Sequence, residues 1–203
     1  MKENHKKLII FDMDGTLYEF KGGSFRNSSL YDAIMNNTVS YISNKLEKNK
    51  LEAQTILNSI LNKYGNSISI GLEKEFEIDR YEYFDVVWDI DVEQYVQFDP
   101  GIKKVLIDLK KDFGLVLLSD APKIWIKKVL GFLDIQEIFG DNIFSGEGDV
   151  RKEYGNAFGE ICKAFNLGTN NCIVVGDQEE TDIAPAKEIG MKTVFVGNDK
   201  NSV

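Results

Sequence analysis

Leu8-Ile9-Ile10-Phe11-Asp12-Met13-Asp14-Gly15-Thr16-Leu17 is an apolar run that ends abruptly in two carboxylates, with glycine and threonine directly behind them. A continuous apolar run of this length reads as a strand covered on both faces, the kind found in parallel sheets. Like charges this close raise each other's pKa unless a cation or a set of donors compensates them. Packing alone gives no reason to keep such a pair at a strand end. The residue types point to one carboxylate that binds a hard cation and attacks a phosphorus, with its neighbour moving a proton.

Three further apolar runs end the same way. Residues 115–118 precede Ser119-Asp120, 172–175 precede Gly176-Asp177, and 193–196 precede Gly197-Asn198. Amphipathic helical patterns over 102–113, 123–133, 154–165 and 182–189 separate and follow them, the first after Pro100-Gly101 and the second after Pro122. Buried strands alternating with helices imply an α/β fold, a Rossmann-like parallel sheet with helices on both faces. Ligands of such sheets bind at the carboxyl ends of the strands, which is where the polar residues fall.

Residues 19–97 have a different character. Ser28 or Ser29 caps a helix running to about Asn49, and 51–64 forms a second helix closed by Gly65. Asp79 with Glu82 resembles a capping box opening a third helix through Trp88. The segment contains no strand pattern but many aromatics: Tyr41, Tyr64, Phe76, Tyr81, Tyr83, Phe84 and Trp88. It reads as an inserted all-helical cap domain over the mouth of the sheet, with 1–18 and 98–203 forming the core.

The 203 residues carry a net charge of -9 and are 43% hydrophobic, values that suit a soluble globular protein and argue against a nucleic-acid partner. No apolar stretch approaches a membrane span, and the charged N-terminus does not resemble a signal peptide. Cys162 and Cys172 read as reduced, buried residues of a cytoplasmic protein. The single histidine, His5, lies in the polar N-terminal tail, which all but removes histidine from the chemistry.

Asp12-x-Asp14-Gly-Thr-Leu, Ser119, Lys152 and Gly176-Asp177 with Asp182 resemble, in order and placement, the four motifs of the haloacid dehalogenase-like superfamily of phosphohydrolases. The helical insert occupies the place of that family's type-1 cap. The resemblance implies Asp12 as nucleophile and Asp14 as general acid and base. Ser119 would hydrogen-bond the transferring phosphoryl group, and Lys152 would neutralise its charge. Mg²⁺ would be held by the carboxylates of Asp12 and Asp177 and the backbone carbonyl of Asp14, with Asp182 supporting the metal through water or orienting Lys152. Backbone N–H groups of residues 14–16 are expected to reach the phosphoryl oxygens. Two positions depart from the family pattern: Asp120 adds a negative charge at the rim, and Glu153 replaces the usual proline after Lys152. Arg151 is a second basic candidate beside Lys152.

Taken together, these residues imply a Mg²⁺-dependent phosphatase for a small phosphorylated metabolite, acting through an aspartyl-phosphate. A weaker resemblance of the cap to pyrimidine 5′-nucleotidase-like members favours a nucleoside 5′-monophosphate, with phosphoglycolate or a sugar phosphate next. A phosphoglucomutase-type phosphotransferase and a phosphorylated receiver module are the alternatives. The motifs do not set the oligomeric state.

Overall fold

In a computed structural model that describes residues 6–22, 24–147, 150–152 and 156–197, seven strands are present among the described residues. They are Leu8–Phe11 (β1), Glu19–Phe20 (β2), Val96–Gln97 (β3), Gly114–Ser119 (β4), Ile143–Ser145 (β5), Cys172–Gly176 (β6) and Lys192–Phe195 (β7). The α-helices are Ser29–Lys45 (α1), Lys50–Tyr64 (α2), Ile68–Phe76 (α3), Arg80–Val87 (α4), Gly101–Lys110 (α5), Lys123–Phe132 (α6), Gln136–Phe139 (α7), Ala157–Ala164 (α8) and Ala184–Glu188 (α9). His5, Gly23, Gly148, Glu153, Tyr154 and Asn198 lie outside the described residues.

The main sheet is parallel in the order β5-β4-β1-β6-β7, so the opening strand is its centre. Leu8 pairs with Gly114 and Cys172, and Phe11 pairs with Leu117 and Val175. That register brings the carboxyl ends of β1, β4 and β6 level. Successive side chains point to opposite faces. Ile9, Phe11, Leu115 and Leu117 join the cluster of Leu106, Trp125 and Leu130. Leu8, Ile10, Val116 and Leu118 join that of Phe158, Ile161, Cys162 and Ala186 on α8 and α9. Each fully buried side chain of this kind stabilises the fold by roughly 1.5–3 kcal/mol, which explains why the strands read as unbroken apolar runs.

The first cluster continues through Met13, Leu17, Tyr18 and Phe20 into α1–α4. The Ser28 side chain caps α1, accepting from Tyr31 N–H at 3.3 Å. The helix ends at Lys45 rather than near Asn49, because Asn49 opens α2. Asn49 Oδ1 accepts from Glu52 N–H, and Glu52 Oε2 accepts from Asn49 N–H, both at 3.0 Å. Gly65 closes α2 at φ +57°, with its N–H on Leu61 O at 2.9 Å. Asp79 caps α4 by accepting from the N–H groups of Tyr81 and Glu82 at 2.8 and 2.9 Å. The expected capping box is only half formed, since the Glu82 carboxylate pairs with Lys45 of α1 at 2.6 Å.

Other elements differ from the sequence expectation for local reasons. β2 and β3 form a small antiparallel pair where the chain leaves and re-enters the core, each too short to show a period. The short strand β5 and the short helix α7 were likewise invisible. α3 has no side-chain cap and ends on Glu77 in the left-handed conformation, φ +55°, instead of on a glycine. The helix expected over 182–189 starts instead as a π-helical turn, Glu179–Ile183, and becomes α9 around Pro185. α6 has no local cap either. Its Lys123 N–H donates to Glu147 Oε1 at 2.7 Å, so the Gly146-Glu147 loop supplies an anion at a helix start.

Candidate active site

Asp12 is the first residue beyond β1, and its N–H still bonds Val175 O of β6 at 2.9 Å, which fixes the backbone before the side chain turns into the site. The carboxylate is 5% exposed. Its Oδ2 accepts from the Thr16 hydroxyl at 2.8 Å, and its Oδ1 pairs with Lys152 Nζ. Lys152 Nζ forms a second ion pair with Asp182 Oδ1 at 2.7 Å. Burial alone would pull the Lys152 pKa down. The facing Asp12 and Asp182 carboxylates more than offset it, and the ammonium is held above its ordinary value. The π-helical turn delivers Asp182, whose Oδ2 also accepts from Gln178 N–H at 3.1 Å. Burial, and then Asp12, raise the Asp182 carboxyl against the pull of Lys152.

Asp14 faces a different set of partners. Oδ1 accepts from Trp125 Nε1–H at 3.0 Å and from the Tyr18 hydroxyl, and Oδ2 accepts from the Ser119 hydroxyl at 3.2 Å. Ser119, the last residue of β4, is itself fixed by Ala121 N–H at 3.1 Å. Burial and the neighbouring Asp12 push the Asp14 pKa up to about 6, against the opposing effect of its three donors. That value suits a group that must both give and take a proton near neutrality.

Carboxylate oxygens of Asp12, Asp177 and Asp182 lie within 4.8 Å of one another. Burial, then Asp12 and Asp182, push Asp177 up to about 7. Its Oδ1 is buried and lacks a hydrogen-bond partner among the described residues. Gly15, at φ +90°, passes so close that a Cβ there would lie 2.2 Å from Asp177 Oδ2. An all-oxygen donor set with an orphaned, mutually repelling carboxylate fits a hard divalent cation such as Mg²⁺. The Asp14 carboxylate is not in this cluster.

A cavity of about 530 Å³ opens over these residues. Its floor includes Asp12, Asp14, Ser119, Lys152 and Asp177, and its far wall includes Tyr31, Ile34, Met35, Tyr83, Phe84 and Trp88 from the α1–α4 region. Of the aromatics picked out in the sequence, Tyr83, Phe84 and Trp88 line this space, whereas Tyr41, Tyr64, Phe76 and Tyr81 do not. Arg151 lines it beside Lys152 and is buried.

Two positions make contacts that the sequence did not show. Thr16 N–H is turned into the loop, bonding Met13 O at 3.3 Å, and the Thr16 contribution to the site is its hydroxyl. Asp120 does more than add charge at the rim, because its Oδ1 accepts from Lys152 N–H at 3.1 Å and tethers the backbone that carries the lysine. Gly146 lies directly against the Asp120 backbone, where a Cβ would come within 1.9 Å of Asp120 O. Tyr18 and Trp125 were not foreseen. Tyr18 follows the motif as one more apolar residue, and Trp125 is 111 positions from Asp14 with no local signal to link them.

The family model for haloacid dehalogenase-like hydrolases matches residues 6–190. A glyceraldehyde 3-phosphate phosphatase of Pyrococcus abyssi is 36% identical over 104 residues, which is 50% of this chain and 43% of that protein. The match therefore spans less than half the length of that relative. A protein of the same name from Methanocaldococcus jannaschii is 29% identical over 204 residues, 94% of this chain and 84% of the relative. Among solved structures, a HAD phosphatase from Thermococcus onnurineus superposes with a TM-score of 0.65 at 21% identity, covering 97% of this chain and 89% of the other. At that identity the likeness is one of fold.

Proposed function

Because the chain belongs to the haloacid dehalogenase-like hydrolases, we propose that it is a Mg²⁺-dependent phosphatase acting on a small phosphate monoester through an aspartyl-phosphate on Asp12. The observation that carries this reading is the Asp12 carboxylate itself. It is buried, paired with the Lys152 ammonium, steadied by Thr16 and placed on the floor of a cavity. A group so held is poised as a nucleophile without needing a base of its own.

A bond forms between a carboxylate oxygen of Asp12 and phosphorus as the bond to the leaving oxygen breaks. Asp14 gives that oxygen its proton. In the second half, Asp14, now a carboxylate, takes a proton from the water that attacks phosphorus, and the bond to Asp12 breaks. Ser119 and Lys152 hold the phosphoryl oxygens through both halves. Positioning and charge neutralisation of this sort are most of what phosphoryl transfer asks of a protein. A bound Mg²⁺, held by Asp12, Asp177 and the Asp14 carbonyl, would supply further neutralisation of the phosphoryl charge. Asp182, ion-paired with Lys152 at 2.7 Å and accepting from Gln178 N–H, fits the role of orienting Lys152.

The cavity favours a leaving group with a flat apolar part. Tyr31, Tyr83, Phe84 and Trp88 offer stacking surfaces, which supports a nucleoside 5′-monophosphate and the assignment of residues 19–97 as a specificity cap. The names of the relatives favour a triose phosphate as the second reading. Phosphate release with Mg²⁺ from nucleoside monophosphates, glyceraldehyde 3-phosphate, sugar phosphates and phosphoglycolate tests both, with Asp12→Asn alongside. Turnover is expected and is expected to vanish in the Asn variant. A stable phosphoenzyme without phosphate release would replace this reading with a phosphotransferase or a receiver.

A further inference from the structure

Two groups outside the proposed chemistry fix Asp14. Trp125 of α6 is fully buried and donates its Nε1–H to Asp14 Oδ1 at 3.0 Å. The Tyr18 hydroxyl, also buried, donates to the same oxygen. Oδ2 is less engaged, with the Ser119 hydroxyl at 3.2 Å. A carboxylate oxygen that accepts from two donors has its in-plane lone pairs filled, so a proton arriving on the group goes to the other oxygen. Trp125 is braced from the cap side as well. Its ring lies 6.3 Å from that of Trp88, which lines the cavity, and Lys128 of α6 bonds Asp89 and Ile90 O at 2.5 and 2.9 Å.

We infer that Trp125 and Tyr18 are positioning residues that clamp Asp14 Oδ1 and thereby commit Oδ2 to proton transfer with the leaving group and then with water. This inference rests on the phosphatase reading. Neither residue touches the reacting atoms. A buried indole N–H needs an acceptor wherever it lies; here that acceptor is a carboxylate assigned to proton transfer.

The test compares leaving groups. An alkoxide needs a proton to depart, whereas p-nitrophenolate leaves without one, and kcat/KM reports the step in which the leaving group departs. Trp125→Phe and Tyr18→Phe are measured with p-nitrophenyl phosphate and with the fastest alkyl monoester among the nucleoside monophosphates, glyceraldehyde 3-phosphate and phosphoglycolate. Positioned proton transfer contributes roughly 10²–10⁴-fold, so each variant is expected to lose about tenfold or more on the alkyl ester and less than about threefold on the aryl ester. Equal losses on both esters would mean a merely structural role and would overturn the inference, as would no loss on either. If Trp125→Phe does not fold, Tyr18→Phe, which keeps its ring, decides alone. A wild-type protein that turns over neither ester overturns the phosphatase reading, and the clamp falls with it.

Discussion

Lys152→Met should be tolerated or ruinous depending on pH. The Lys152 side chain is 4% exposed, against 5% for Asp12 and 0% for Asp182, so methionine replaces its stem in volume but leaves two buried carboxylates without their ammonium. Removing one partner of a buried ion pair costs roughly 3–5 kcal/mol. For a chain of this length each kcal/mol moves Tm by roughly 2–4 °C, which makes the expected loss roughly 6–20 °C. Burial already raises the Asp182 carboxyl against the pull of Lys152, so in the variant, which lacks that pull, it stands above the unfolded value of about 3.9. Below that value both states are protonated and the penalty is absent. It grows as pH rises and is complete once pH exceeds the folded value of Asp182. Thermal melts of wild type and variant in the presence of a chelator, at pH 4, 6 and 8, should therefore diverge as pH rises. An equal loss at pH 4 and pH 8 would refute the reasoning and assign the lysine to packing of its stem. At pH 8 with Mg²⁺, turnover should fall by roughly 10²–10³-fold, in line with other deletions of a single preorganised electrostatic group.

The same linkage predicts the behaviour of the unaltered protein. Asp14 at about 6 and Asp177 at about 7 both stand above the ordinary 3.8, so the metal-free native state binds more protons than the unfolded state across that interval. Denaturant titrations with a chelator should show stability falling between about pH 4 and pH 7 and levelling above it, and a flat profile would contradict the site electrostatics. Mg²⁺ at 100 times its Kd should add about 2.7 kcal/mol at neutral pH, read as a rise in Tm, and a rise absent at neutral pH would remove the metal assignment. Gly15→Ala should abolish that rise, because its Cβ would displace the Asp177 carboxylate, 2.2 Å away. A Gly15→Ala protein that keeps the full rise would show that Asp177 is not a ligand. Asp12→Asn should lose turnover while holding or gaining stability in chelator, since it removes the charge that raises Asp14 and Asp177. Residual turnover would point to another nucleophile.

The features legible in the sequence are those that a short window determines. Buried parallel strands need apolar residues at every position, so β1, β4 and β6 could be located to within a residue or two, and the polar residue after each follows from where such sheets bind ligands. The placement of Asp12, Ser119 and Asp177 on one rim needs only that β4 and β6 both flank β1. Lys152 was a positional argument, and its pairing with Asp12 across 140 residues is a property of the folded chain. The surroundings of Asp14 were beyond reach for the same reason. Nothing near Trp125 marks it as a donor to a carboxylate on another element, and α6 reads equally well with its indole anywhere in the core. β5, with its three residues, and α3, with neither a side-chain cap nor a terminal glycine, carry too little pattern to stand out.

The pKa of Asp14 links the two halves of the proposed reaction. Burial and Asp12 hold it at about 6, where a modest change in nearby charge decides its protonation at neutral pH. A phosphate ester brings negative charge close to it and favours the neutral acid, the form that the first half requires. Once the proton has gone with the leaving group, Asp14 is a carboxylate, the base that the second half requires, beside an Asp12 that now carries the phosphoryl charge. The two donors on Oδ1 favour the carboxylate at each stage and keep the pKa from rising further. In the proposed reaction those donors thus oppose the burial and phosphoryl charge that stay beside Asp14 through both halves, and they keep its carboxylate available as the base of the second.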